Sequence, residues 1–410
     1  MRTTKSRSRL ALAAAGTVLA SLALSAPAAQ ATAGTAAGET AGRTTAAAVG
    51  AVGGAACTPG IKVLASLPGP AEDPRPWMAT TEVRGIGRFG LSVGRSQNRP
   101  VYWIGKTVHA VPLPKGYATG LVEAVNKWGV MVGTMSGPGL PTRAFRYAPG
   151  FAHANPLPGG ERATDINDHG HSVGYRTLPG GGKVGLEWAG GTLRRELVVP
   201  AQTRYLEGVS GINNAGRIVG NHYAVVDEDG YEEGYEAALI WSADAAAPPA
   251  ELPEVNPGDS YSVYEPRDID EAGRIAGTYR FTHVDISNGT TWLPPYSART
   301  AAPNLGDRTQ GTFEDISPTT DVSVGTASDS GIIGPFPPET APPHQAQLWK
   351  GSGPMLALPR LANTPTAHAG AYTVTDDDRV GGYAVDAADR MHPVIWTCAS
   401  KQAHLPTSGS

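Results

Sequence analysis

Beyond its N-terminal stretch, this 410-residue chain has no apolar run long enough to span a bilayer and no basic patch of nucleic-acid type. Those two absences argue against a membrane span in the mature chain and against DNA or RNA as partners. No long amphipathic helix is legible either. Glycine (52) and proline (35) are plentiful, which points to many short strands joined by turns. Cysteine is nearly missing, with only Cys57 and Cys398 present.

The N-terminus is set apart by composition. Arg2, Lys5, Arg7 and Arg9 precede the apolar run LALAAAGTVLASLALSA, and Ala29-Gln30-Ala31 is an A-x-A cleavage site. Residues 1–31 are read as a secretory signal peptide, with a retained membrane anchor as the alternative. Its removal takes away four basic and no acidic residues, so net charge moves from −4 to about −8. Residues 32–56 are Ala/Thr/Gly-rich with almost no large side chains. They cannot bury enough apolar area to offset their ordering entropy and are read as a flexible lead-in.

The rest of the chain repeats. IGRFGLSVG (86–94), VNKWGVMVG (125–133), INDHGHSVG (166–174), INNAGRIVG (212–220), IDEAGRIAG (269–277), ISPTTDVSVG (316–325) and VTDDDRVGG (374–382) share the frame I-N-x-x-G-x-x-V-G. An apolar residue closes one strand, a polar tip and a glycine turn the chain, and a second strand leaves with small residues. An aromatic landmark then closes a third strand: Trp103, Tyr147, Trp188, Trp241, Trp292, Trp349, Trp396. At one per unit in the same frame, these aromatics read as core between units rather than as sugar platforms. A fourth strand follows each of the first six, as in HAVPLP and HANPLP. The seventh lacks one, and IKVLASLPG (61–69) at the other end of the domain resembles it.

The expected fold is therefore an all-β, seven-bladed β-propeller of four-stranded blades, the last blade completed by the N-terminal strand. Residues 57–400 form this single domain and 401–410 a C-terminal tail. An open solenoid is the alternative. Cys57 precedes the N-terminal strand and Cys398 follows Trp396, where the chain of the last blade is cut. A Cys57–Cys398 disulfide would rejoin it, with a model ceiling of roughly 5–6 kcal/mol from chain entropy. Two free thiols or an intermolecular bond are the alternatives.

DINDHGHSVG, GINNAGRIVG and DIDEAGRIAG, with AFRY further on, resemble the units of extracellular proteins with HAF repeats, which read like DINNAGQVVG…AFLW. The resemblance covers roughly 75–400 and weakens in the sixth and seventh copies. It implies fold and export but no particular activity.

Candidate chemistry is sparse. GHSVG (170–174) fits the G-x-S-x-G nucleophile elbow, but Ser172 occupies a repeat position also held by Ser92, Met131, Ile218 and Ile275, and GLSVG (90–94) fits equally well. His169 and His171 lack a third ligand, and Asp376-Asp377-Asp378 lacks the glycine and distal glutamate of an EF-hand. No catalytic residue, metal or cofactor is assigned. Insertions fall in the loops opposite the repeated tips, with Tyr231, Tyr235, Tyr261, Tyr264 and Phe336 as candidate ligand-binding aromatics. The chain is expected to be a secreted, monomeric binding or scaffold protein for an extracellular glycan, peptide or protein. The alternative is a propeller hydrolase or lyase acting on polysaccharide. A polar, acid-rich channel with perturbed carboxylates would favour the enzyme; a plugged or small-residue channel would favour binding.

Overall fold

The computed structural model describes residues 57–70, 75, 79–228, 231–254, 260–329 and 343–406, the side chains of 226–228 and 231–233 excepted. Residues 1–56, read above as a signal peptide and lead-in, and Phe336 lie outside the described residues, as does the Tyr231 side chain. Among the described residues no helix is long and apolar enough to cross a membrane.

The protein is all-β and propeller-like, with small antiparallel sheets arranged in a ring. The first unit pairs Glu82–Ile86, Leu91–Ser96, Arg99–Ile104 and Thr107–Ala110 in that order. The second pairs Thr119–Val125, Met131–Gly137, Leu140–Tyr147 and Asn155–Pro156. In the last unit Ala369–Val374, Arg379–Val385 and Met391–Thr397 are completed by the N-terminal Gly60–Val63, which runs antiparallel to Met391–Thr397. The inferred offset is thus present as a strand pairing. Cys57 and Cys398 are disulfide-bonded, closing a 341-residue separation.

The sheets do not separate into seven. Arg162–Ile166 through Thr192–Glu196 and Thr203–Ile212 through Ala250–Glu251 belong to one eight-stranded sheet, joined by a single antiparallel pair, Lys183 opposite Leu206. Six hydrogen-bonded sheets result among the described residues. The cause is local: Thr203–Ile212 is ten residues long, so its start reaches the edge of the preceding unit. The C-terminal tail is also more than a tail. Ala399–Gln402 forms a short helix, and His404 makes a two-way backbone bridge with Ala357.

Neighbouring units are held together by the landmark tryptophans. Trp103, Trp188, Trp292 and Trp396 are fully buried. A buried indole N–H needs an acceptor, and here it finds one in the preceding unit. Trp103 donates to Ala65 O, Trp188 to Pro158 O, Trp241 to Val198 O, Trp292 to Pro253 O and Trp396 to Pro359 O. Each acceptor lies just after a fourth strand, in three cases the proline of a Leu-Pro pair, so the end of one unit and the tryptophan of the next form one joint. Trp349 differs, donating to Gly353 in its own turn.

Candidate functional site: a polar central cavity

The repeat frame builds the site through an irregularity in the innermost strands. In six units the pairing with the second strand slips by one residue, between Val83 and Gly85, Val122 and Ala124, Ala163 and Asp165, Val209 and Gly211, Pro266 and Asp268, and Ala371 and Thr373. The extra residue of such a bulge is left unpaired and its side chain is re-aimed. Those residues are Arg84, Glu123, Thr164, Ser210, Arg267 and Tyr372. In the sixth unit the inner strand is interrupted between Gln310–Gly311 and Asp315–Ile316, and Glu314 stands at the same place. All seven line one cavity of about 1060 Å³.

The second glycine of the frame makes the bulge possible. A β-carbon on Gly174 would lie 1.9 Å from the carbonyl oxygen of Arg162, and one on Gly133 would lie 2.0 Å from that of Leu121. The same collision recurs at Gly94, Gly220, Gly277, Gly325 and Gly382, so no side chain fits at this position in any unit.

The asparagine of the frame ties tip to tip. Asn167 is buried; its Oδ1 accepts the N–H groups of His169 and His171 in its own turn, and its Nδ2 donates to Asn213 O of the next unit. Asn126 donates likewise to Asn167 O, and Asn213 to Asp270 O. A second set of bonds runs beside the first: Lys127 N–H to Asp168, Asp168 N–H to Asn214, Asn214 N–H to Glu271 and Thr319 N–H to Asp376. The tip asparagines are clasps between units as well as turn residues.

The first unit has Gly87 where the second to fourth have asparagine and the fifth to seventh have Asp270, Ser317 and Thr375, and its turn is different. Leu91 N–H bonds to Arg88 O, with Phe89 at φ 57° and Gly90 at φ 73°, the signature of a tight mirror-type hairpin turn. Among the described residues no hydrogen bond joins this tip to the tip of the second unit. The two units do bond elsewhere, Gly120 N–H to Asn98 O and Ala154 N–H to Pro112 O. A second cavity of about 500 Å³ opens between them and shares Arg84, Glu123 and Arg162 with the central one.

The residue before the apolar end of the inner strand is Asp165, Asp268 or Asp315 in three units. Each carboxyl accepts the N–H of the equivalent apolar residue in the next unit: Asp165 from Ile212 (2.8 Å), Asp268 from Ile316 (3.4 Å), Asp315 from Val374 (2.7 Å). Asp165 also accepts from Ile166. Between Asp165 and Asp268 the row holds Gly211, where a β-carbon would lie 3.0 Å from Asp268 Oδ1. Burial, and then the charge of Asp268, pushes Asp165 up to about 7. Burial, Asp268's charge and a hydrogen bond with Asp268 hold Asp315 well above the carboxylate range. Glu236 is raised by burial and by Glu207 and Glu265. Other charges in the cavity pair within it. Arg162 bonds Glu123 at 2.6 Å, Arg267 and Arg280 both bond Glu265, and the Arg84 guanidinium lies 4.0 Å from the centre of the Tyr372 ring. The channel is therefore neither plugged nor lined by small residues; it is polar and acid-rich. Among the described residues no group of three histidines, cysteines or acids is arranged to hold a metal ion.

Of the aromatics expected on the opposite rim, the described side chains of Tyr235, Tyr261 and Tyr264 do not line this cavity. Tyr264 is fully buried, packed beside Tyr279 and under Arg299, so it is core and not a surface anchor. Tyr235 bonds Glu251 and meets His222 edge-on; Tyr261 is exposed and packs edge-on against Phe281 and His283. Ser172 is buried in the strand His171–Thr177, which is followed by another strand and not by a helix. His171 bonds Glu187 while His169 faces solvent. Asp378 takes the left-handed conformation (φ 63°) that glycine supplies in the first five tips and Asp321 in the sixth, and its carboxylate receives Ser400. Sequence reasoning missed the bulge ring and two exposed aromatics, Phe89 and Trp128. The signal for the latter was present: other units place His169, Ala215 and Ala272 at the tip position that these two occupy.

No family model matches the chain, and no curated protein matches it. Among solved structures it is similar to a triple arginine-to-alanine mutant of AofleA from Arthrobotrys oligospora, at 9% identity and a TM-score of 0.35, covering 84% of this chain and 91% of that one. It is also similar to an asparagine-to-glutamine mutant of the Aleuria aurantia lectin AAL in complex with Fucalpha1-6GlcNAc, at 9% identity and a TM-score of 0.34, covering 70% and 96%.

Proposed function

We propose that this chain is a secreted, HAF-type seven-bladed propeller that binds a polar extracellular ligand (a glycan, peptide or protein) in its central cavity. The seven-fold reading counts the two four-stranded halves of the eight-stranded sheet separately, as the sequence frame does. The observation that carries the function is the ring of bulge residues. Six bulges and, in the sixth unit, a break in the inner strand aim Arg84, Glu123, Thr164, Ser210, Arg267, Glu314 and Tyr372 into one space, and bulges re-aim side chains where function needs them.

A polysaccharide hydrolase or lyase is the second reading, supported by the raised carboxyls of Asp165 and Asp315. Weighing against it, every carboxyl of that row already holds a backbone N–H of the next unit, which accounts for the row without a substrate. Glycan and peptide arrays probed with the mature protein test both. Glu123→Gln and Arg267→Gln are each expected to weaken binding about tenfold with the fold retained. Affinity that ignores both changes but falls with Tyr235→Ala or Tyr261→Ala would move the site to the other rim. Release of reducing ends from a bound polysaccharide, abolished by Asp165→Asn, would make the protein an enzyme.

A further inference from the structure

The seam between the first and second units differs from the other tip junctions in several ways at once. Its asparagine clasp is absent because Gly87 stands in the asparagine position, and the second cavity lies at the far end of the same seam, lined by Asn98, Thr119 and Ser136 away from the tips. Its two tips carry the large aromatics. Phe89 is 96% exposed and Trp128 70% exposed. An aromatic side chain left in water on a left-handed residue, as Phe89 is, has no packing to explain it. Trp128 is exposed yet fixed: its indole N–H donates to Asp168 O at 2.9 Å, so the ring is oriented and its polar edge is already used. Leu91, next to the first tip, reaches within 3.5 Å of where a β-carbon on Gly129 would stand, which places the two tips side by side. Their neighbours Arg88, Lys127 and Asp168 line the central cavity.

We propose that Phe89 and Trp128 form a stacking platform for the sugar rings of a glycan whose chain continues into the cavity; this rests on the cavity being the binding site. A pyranose has an apolar C–H face and a hydroxyl perimeter. It matches a fixed aromatic face bordered by a planar group that can take paired hydroxyls, here the Arg88 guanidinium. A peptide is matched less well. Strand addition needs free backbone groups on a sheet edge, and the inner edges at Ile212, Ile316 and Val374 are capped by Asp165, Asp268 and Asp315.

The test uses the mature protein with cellohexaose, laminarihexaose, xylohexaose and chitohexaose, read by calorimetry and tryptophan emission. At least one hexasaccharide should bind and perturb the emission. Trp128→Ala should weaken it about tenfold, Trp128→Phe should retain most of the affinity, and Phe89→Ala should weaken it about threefold. Melting temperatures should stay level, since both side chains are solvent-facing. Failure of all four sugars to bind overturns the proposal, as does affinity unchanged in the Phe89→Ala/Trp128→Ala double variant. In the latter case Arg267→Gln separates the two claims: a loss there keeps the cavity as the site and removes only the platform, and no loss removes both.

Discussion

The turn after Ile166 and the turn after Ile86 occupy the same place in the repeat, and one polar side chain separates them. Asn167 gathers its own turn through Oδ1 and reaches the next unit through Nδ2. Gly87 can do neither, so Leu91 N–H turns to Arg88 O, the chain adopts two left-handed residues and Phe89 is thrust into solvent. From the second unit to the fifth the asparagine clasps run unbroken to Asp270. The comparison separates two jobs within one sequence frame. Asparagine and the second glycine build the ring and its bulges. Departures from the frame are where surface is left for something else.

The largest expected effect tests the building side. Gly174→Ala places a β-carbon 1.9 Å from Arg162 O, which is backbone and cannot swing aside. It should cost about 3 kcal/mol or more in urea unfolding, because the bulge or the strand pairing must give way. Gly180, with open space where its β-carbon would go, is the control; Gly180→Ala should change stability by no more than about 0.5 kcal/mol. Equal effects at both sites would remove the steric account of the repeat.

Much of the ring was legible in the sequence and much of the site was not, for a physical reason. The tryptophan joints, the offset last unit and the Cys57–Cys398 bond follow from spacing, because each recurs or closes a gap that spacing exposes. A bulge is a shift of register between two strands, and neither strand shows it alone; only the repeated glycine hints that something approaches. Asn126, Asn167 and Asn213 look like solvated turn residues until the carbonyl of the following unit is in place beside them. Tyr264 looked like a loop aromatic because proline and glycine precede it. It lies instead in the inner strand Ser262–Ile269, where burial is complete.

A smaller effect concerns the carboxyl row, which occurs in only three units. Asp165 and Asp315 bind protons more tightly in the folded chain than when unfolded. The contribution of Asp165 is therefore fully present below about pH 4 and lost as pH rises through about 7, and that of Asp315 has the same sign. Asp168, Glu187, Glu251 and Asp377, held low by hydrogen bonds and cationic neighbours against the opposing cost of burial, have the opposite sign and lose their contribution as pH falls into the acid range. Asp165→Asn should flatten the decline in stability between pH 5 and 8 by on the order of 2 kcal/mol, whatever it does to stability at a single pH. A variant whose slope matches the parent would show that Asp165 ionises normally in the ring.

The smallest effect on stability tests the comparison most directly, by writing the asparagine into the seam. Gly87 is not among the left-handed residues, and a β-carbon there would meet only the Leu91 side chain, at 3.3 Å from its flexible end. Gly87→Asn is therefore sterically admissible. Its Oδ1 would compete with Arg88 O for the Leu91 N–H, and its Nδ2 would face Asn126 O, the acceptor position that Asn167 O and Asn213 O fill in their junctions. The added bonds should raise stability by about 1 kcal/mol and draw the first tip toward the form of the others, releasing Phe89 from its left-handed conformation. If the open seam is where a glycan stacks, the same change should weaken hexasaccharide binding while the protein becomes more stable, an inverse relation that simple damage does not produce. Higher stability with unchanged affinity would leave the clasp correct and the seam without a role in binding. Lower stability would show that the Arg88–Leu91 turn is fixed by something other than the missing asparagine.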